Sequence, residues 1–311
     1  MKKLLTVLAV VFVVLVILAG AVHWASTRNE QPAPPGGQPA PPGGQAAPAN
    51  PPGCVDYEVV AIPGTWESRA DDDPNAPKAN PNSLMLGITG PLQAEVPADR
   101  VKVWTVPYTA QFRNFNAQQE KTYDESREEG LQKASAELQA THQACPGTKF
   151  VLMGFSQGAV IAGDLSSNIG NGRGPVPAGS VAGVSLIADG RQELTKGKLI
   201  GKQGINGVGA EIALAPVSGL IKGIIPGATM RGPRPDGFGE LNDRVNNFCA
   251  PADLVCDAPR DVGNALQRAQ DLVGANAVHA QYATNGTVVD GQTVPQYVLG
   301  WARDLVNRPL R

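Results

Sequence analysis

The stretch from Phe150 to Ala162 constrains this chain more than any other. The apolar run Phe150-Val151-Leu152-Met153 has strand character and ends in Gly154-Phe155-Ser156-Gln157-Gly158. A second apolar run, Ala159-Val160-Ile161-Ala162, follows at once. The pattern reads as a strand, a tight turn and a helix, with a serine at the apex. The two glycines let the backbone take the cramped conformation that such a turn needs. Ser156 Oγ then stands above the end of a buried strand, near the positive end of a helix. The plainer alternative is a glycine-rich strand–helix turn that carries an ordinary polar serine.

Other segments repeat the alternation. Tyr57–Ile62, Val101–Tyr108, Val181–Ala188 and Val245–Cys249 read as strands. Lys121–Gln143 lacks proline and intersperses charges with Leu131, Ala134, Leu138 and Ala140, the pattern of a long amphipathic helix. Asp261–Val273 and Pro295–Val306 read as helices, the latter with Val298, Trp301, Ala302 and Leu305 on one face. Strands alternating with helices imply an α/β fold, a central and mostly parallel sheet sandwiched between two helical layers. Between residues 191 and 239 the pattern loosens into glycine-studded apolar pieces. Two readings stand for this insertion: a mobile lid or lipid-contacting segment near the site, or an irregular surface segment with its own small apolar patch.

The amino terminus is organised differently. Leu4 to Val22 are 19 uncharged, mostly aliphatic residues preceded by Lys2 and Lys3. As a helix they span roughly 28 Å, near the hydrocarbon thickness of a bilayer. Residues 1–26 therefore read as a signal-anchor helix or a signal peptide; length favours the anchor, and Ala19-Gly20-Ala21 offers a cleavage site. Gln31-Pro-Ala-Pro-Pro-Gly-Gly37 recurs from Gln38, and the Pro/Gly-rich character continues to Gly53. Residues 27–53 cannot build a core and read as an extended linker, on the order of 80 Å at about 3.1 Å per residue. The expected organisation is an exported catalytic domain, 54–311, held away from a membrane. A net charge of −2 gives no electrostatic case for a nucleic-acid partner.

An exported chain with four cysteines suggests two disulfides, for which three pairings exist. Cys249 and Cys256 form the natural local pair, which leaves Cys54 with Cys145. No Cys-x-x-Cys and no His/Cys cluster with zinc spacing occurs, so neither a metal nor a cofactor is expected.

A serine nucleophile at neutral pH needs a base, and the base needs an orienting acid. The Ser156 turn resembles the nucleophile elbow of α/β-hydrolases, where chain order runs serine, acid, histidine. Of the three histidines, His23 falls in the membrane-length segment, His142 precedes the serine, and His279 follows it. The acid is best read as Asp253, inside Cys249-Ala-Pro-Ala-Asp-Leu-Val-Cys256, with Asp257 and Asp261 as competitors outside that loop.

Gly154-Phe-Ser-Gln-Gly158, the cysteine loop around Asp253 and the later histidine together resemble the cutinase family of serine esterases, over about residues 54 to 307. Gly64-Thr65 resembles that family's early oxyanion segment, and Cys54 and Cys145 its long-range disulfide. The resemblance implies Ser156 as nucleophile, Asp253 as acid, His279 as base, and Thr65 with Gln157 as the oxyanion hole. Thr65 departs from the serine of small fungal cutinases, which also lack the anchor, the linker and the 191–239 insertion. Anchor plus insertion is more similar to the cell-wall-associated cutinase-like proteins of mycolic-acid bacteria. That branch implies phospholipase A or thioesterase activity on envelope lipids. An acyltransferase sharing the same acyl-enzyme, or a catalytically silent lipid-binding fold, are the alternatives.

Overall fold

The computed structural model describes residues 50–201, 204–260 and 277–309. The expected apolar helix at 1–26, most of the linker, the helix expected over Asp261–Val273 and the competitor Asp261 lie outside the described residues.

The first strand, β1 (Tyr57–Ile62), is buried along its whole length. Val60 and Ile62 face one apolar layer and Tyr57, Val59 and Ala61 the other, as the two-residue repeat of a strand requires. Helix α1 (Leu86–Glu95) follows, then β2 (Val101–Thr105) and the long helix α2 (Tyr123–Ala144). Strand β2 stops at Thr105, short of the expected Tyr108, just ahead of the Val106-Pro107 step where a ladder N–H is lost. Helix α2 begins at a capping box: Thr122 Oγ1 accepts from Glu125 N–H, and the Glu125 carboxylate accepts from Thr122 N–H. Then come β3 (Lys149–Phe155), α3 (Gln157–Gly170) and β4 (Val181–Ile187). After the two-residue β5 (Lys198–Leu199) lie the short helices α4 (Ala210–Ala213) and α5 (Ser218–Ile224). Strand β6 (Val245–Phe248) and helix α6 (Val294–Val306) complete the described elements, the helix starting at a second capping box, Thr293 with Gln296.

The six strands are parallel, in the order β2-β1-β3-β4-β6-β5. Helices α2 and α3 cover one face through Ala134, Leu138, Ile161 and Leu165. Helices α1 and α6 cover the other through Ile88, Leu92, Val298, Ala302 and Leu305. A parallel sheet buried on both faces is the expected three-layer α/β sandwich. The strand order reverses between β1 and β3, and loops leaving the carboxyl ends of two such strands part to form a crevice. Ile62 is level with Gly154 across the β1–β3 pair. The loop holding Thr65 and the turn holding Ser156 therefore leave the sheet side by side.

Candidate active site

The turn after β3 is forced by close backbone approach. A Cβ on Gly154 would lie 2.2 Å from Gly158 O, and one on Gly158 would lie 2.0 Å from Ile62 O. Both positions must be glycine if α3 is to start against the end of β1. Ser156 between them takes φ 54° and ψ −118°, a left-handed conformation disfavoured for a side chain with a Cβ. The strain places the hydroxyl clear of the sheet, at the N-terminus of α3, whose first N–H groups have no partner within the helix.

Around Ser156 the chain assembles a line of three polar side chains. His279 Nε2 is 2.9 Å from Ser156 Oγ, and His279 Nδ1 is 3.0 and 3.2 Å from the two oxygens of Asp253. His279 opens a short 3-10 turn (His279–Gln281) and stacks on Phe155, the residue before the serine, with ring centroids 5.0 Å apart and planes inclined by 17°. Asp253 is fully buried, in the loop closed by the Cys249–Cys256 disulfide. Its Oδ1 accepts from Val255 N–H at 3.0 Å. The competitor Asp257 is committed elsewhere: it accepts from the N–H groups of Asn206, Gly207 and Ala252 and so holds the neighbouring loops together. His142 lies in the last turn of α2, at the amino end of β3 and thus at the opposite end of the sheet from Ser156.

Two positioning residues, Tyr282 and Glu67, had no signal in the sequence, and the side chain of Gln157 acts beyond the oxyanion role expected of that residue. Tyr282 is fully buried; its hydroxyl accepts from Ala250 N–H and donates to Asp253 Oδ2, both at 2.8 Å. Burial, and then the Asp253 charge, push this phenol well above its ordinary value, so it stays a donor. Glu67 organises the Thr65 loop, accepting from Gly64 N–H at 2.9 Å and from Leu84 N–H. Burial raises the Glu67 carboxyl although these N–H groups oppose the shift. The Gln157 side chain accepts from Ser126 Oγ at 2.9 Å and donates to Gln111 O at 3.1 Å, which fixes the residue whose main chain opens α3. A Tyr three residues after a His, or a Glu two after a Thr, carries no periodic or motif signature; only the folded loops bring them into place.

Ser156, His279, Thr65 and Gln157 line one cavity of about 380 Å³. That size suits a small ligand pocket, and such pockets combine apolar walls with a few fixed polar groups. Among the described residues no group of three or more His, Cys, Asp or Glu side chains is arranged to hold a metal ion. The second disulfide, Cys54–Cys145, closes 91 residues and ties the start of the domain to the end of α2.

A family model described as Cutinase matches residues 87–287. A protein of Corynebacterium glutamicum, the carboxylesterase Culp6 homolog, is 52% identical over 312 residues, covering 99% of this chain and 99% of that relative. Among solved structures, an acetylxylan esterase matches with a TM-score of 0.50 at 13% identity, over 82% of this chain and 100% of that one. A cutinase-like protein from Cryptococcus sp. matches with a TM-score of 0.40 at 19% identity, over 78% and 99%. At this identity the acetylxylan esterase bears on the fold alone. With a family model across most of its folded part and a full-length relative at this identity, the chain belongs to the cutinase family and is a serine ester hydrolase.

Proposed function

We propose that Ser156, His279 and Asp253 act as a catalytic triad that cleaves acyl esters or thioesters of lipids outside the cytoplasmic membrane. The carrying observation is the unbroken line of hydrogen bonds from Ser156 Oγ through the imidazole to the buried Asp253 carboxylate. In the reaction His279 Nε2 takes the hydroxyl proton as Ser156 Oγ attacks the acyl carbonyl carbon. Asp253 holds the Nδ1–H tautomer and stabilises the imidazolium. Thr65 and the backbone N–H of Gln157 receive the oxyanion; losing one such donor costs about 3–4 kcal/mol in the transition state. The imidazolium then gives its proton to the leaving alcohol or thiol, and the acyl group remains on Ser156. Water repeats the sequence and frees the acid.

Three features support a lipid substrate and export. The cavity walls beside Ser156 are mainly apolar, including Leu84, Phe112, Val160 and Val255. The chain begins with a membrane-length apolar segment and a Pro/Gly-rich spacer. Two disulfides suit an oxidising compartment. The relative's designation as a carboxylesterase agrees with acyl-ester chemistry. Whether the physiological acyl donor is a phospholipid or a thioester is decided by assay. Wild type and the Ser156→Ala, Asp253→Ala and His279→Ala variants are compared on p-nitrophenyl esters, a phospholipid and an acyl thioester. The expected outcome is a loss of about a thousandfold or more in kcat for Ser156→Ala and His279→Ala. Undiminished hydrolysis by His279→Ala would remove the proposed base.

A further inference from the structure

The 191–239 insertion is fastened to the catalytic core by buried charge. Asp164 lies on α3, eight residues beyond Ser156, and its carboxylate pairs with Arg191 Nη1 and Arg234 Nε at 2.8 Å each and with Arg231. All three arginines come from the insertion. Arg234 also reaches Asp189, at the end of β4, at 2.6 Å. Arg231 forms a fork with Glu211, Nε to Oε2 at 2.8 Å and Nη2 to Oε1 at 2.9 Å, and Tyr123 OH donates to the same carboxylate at 2.7 Å. Asp164, Asp189, Glu211 and Arg234 are all buried.

A second fastening lies on the other side of residue 230. Thr229 donates to the Asp124 carboxylate on α2 through N–H at 3.1 Å and through Oγ1 at 2.6 Å, and Asp124 N–H donates to Gly227 O at 2.8 Å. Met230 N–H itself donates to Ser218 Oγ at 3.0 Å. The main chain at Met230 is thus held to α2 through Thr229 and to α3 through Arg231, while its side chain lines the cavity that contains Ser156. A wall anchored this way is pre-formed. Glu211 also lines the cavity, but Arg231 and Tyr123 already engage its carboxylate, so this polar group offers little to a substrate.

We infer that the cavity is a pre-formed slot for the acyl chain of the substrate and that Met230, contributed by the insertion, sets the length of chain it accepts. This inference rests on the ester-hydrolase reading above. The cavity is lined by Phe155 and Val160 of the core and by Phe112, Tyr123 and Met230, which share one apolar cluster with the insertion's Leu214 and Ile221. Those walls are apolar or aromatic and suit a linear hydrocarbon chain. Methionine is unbranched and adaptable, a side chain that can yield to a chain end without opening a void.

The test measures kcat/KM for p-nitrophenyl butyrate, decanoate and palmitate with the full chain and its Met230→Trp and Met230→Ala variants. Rates are expressed per active site titrated with a small methylphosphonate, so a partly misfolded preparation changes the titre and not the ratio between substrates. Filling the slot in Met230→Trp is expected to lower the decanoate-to-butyrate ratio by about tenfold or more, since one methylene in an apolar pocket discriminates about 10–200-fold. Met230→Ala is expected to raise the palmitate-to-butyrate ratio. Ratios within about twofold of wild type in both variants would overturn the inference and leave the ester-hydrolase reading standing. A wild-type chain that titrates no site and hydrolyses none of the esters would overturn both.

Discussion

At the scale of single residues, the proposed triad depends on what holds Asp253 in place. Asp253 sits without exposure beneath His279, and Tyr282 OH links its carboxylate to the main chain of the cysteine loop. Replacing Tyr282 by Phe removes one hydroxyl, which takes one donor from Asp253 Oδ2 and the acceptor from Ala250 N–H. A lost hydrogen bond to a charged group is worth about 1.5–3 kcal/mol. We expect kcat for a short ester to fall roughly ten- to a hundredfold with KM little changed, because Tyr282 is absent from the cavity wall. Stopped-flow or steady-state kinetics on Tyr282→Phe check this; an unchanged kcat would mean the disulfide loop alone orients the acid. The grouping of Ser156, His279 and Asp253 was legible in the sequence because each stands in a spaced pattern: a glycine-flanked serine, a cysteine-bracketed aspartate, and the one histidine after both. Tyr282 and Glu67 were not. Their roles depend on where two loops end in space, which no periodicity records.

At the scale of elements, the elbow and the insertion meet on α3. The helix begins at Ser156, and two turns later it offers Asp164 to three arginines of the insertion. Burial alone would raise the Asp164 carboxyl, but the guanidinium groups of Arg234, Arg231 and Arg191 hold it below the usual carboxylate range. Removing one partner of such a hub leaves buried charge uncompensated, at a cost of about 3–5 kcal/mol. Asp164→Ala is therefore expected to lower unfolding stability by that order in urea titration, and a loss under about 1 kcal/mol would contradict the fastened insertion. Strands and long helices were legible from their repeats of two and of 3.6 residues. The order within the insertion was not, since its helices are short and it comes from ion pairs between residues far apart in the chain, such as Arg234 with Asp164, 70 positions away. The segment also carries its own apolar cluster, Leu214, Ile221, Ile225 and Ala228, packed against Tyr123 of α2. The helix α1 was missed because Pro91 interrupts its pattern.

At the scale of the molecule, the sheet brings its carboxyl-terminal loops to one end, and the proposed triad lies there. Away from the site, Glu58 on β1 is wholly buried beside Lys102 of β2, 2.8 Å away, and burial pushes its carboxyl up to about 7 despite that cation. The folded chain then holds a proton that the unfolded chain releases at an ordinary value near 4.5. Protons bound to the native state in excess make stability fall as pH rises, here between about 4.5 and 7. A thermal midpoint that declines across this window in wild type, with a shallower decline in Glu58→Gln, is the expected result; parallel profiles would remove Glu58 as the cause. The central claim remains that this architecture exists to make Ser156 a nucleophile. Its most direct measurement is intact-mass and peptide-mapping mass spectrometry after exposure to a fluorophosphonate. The account predicts one adduct per chain, located on Ser156, absent from Ser156→Ala and strongly slowed in His279→Ala. An adduct that persists in Ser156→Ala, or that maps to another residue, would contradict it.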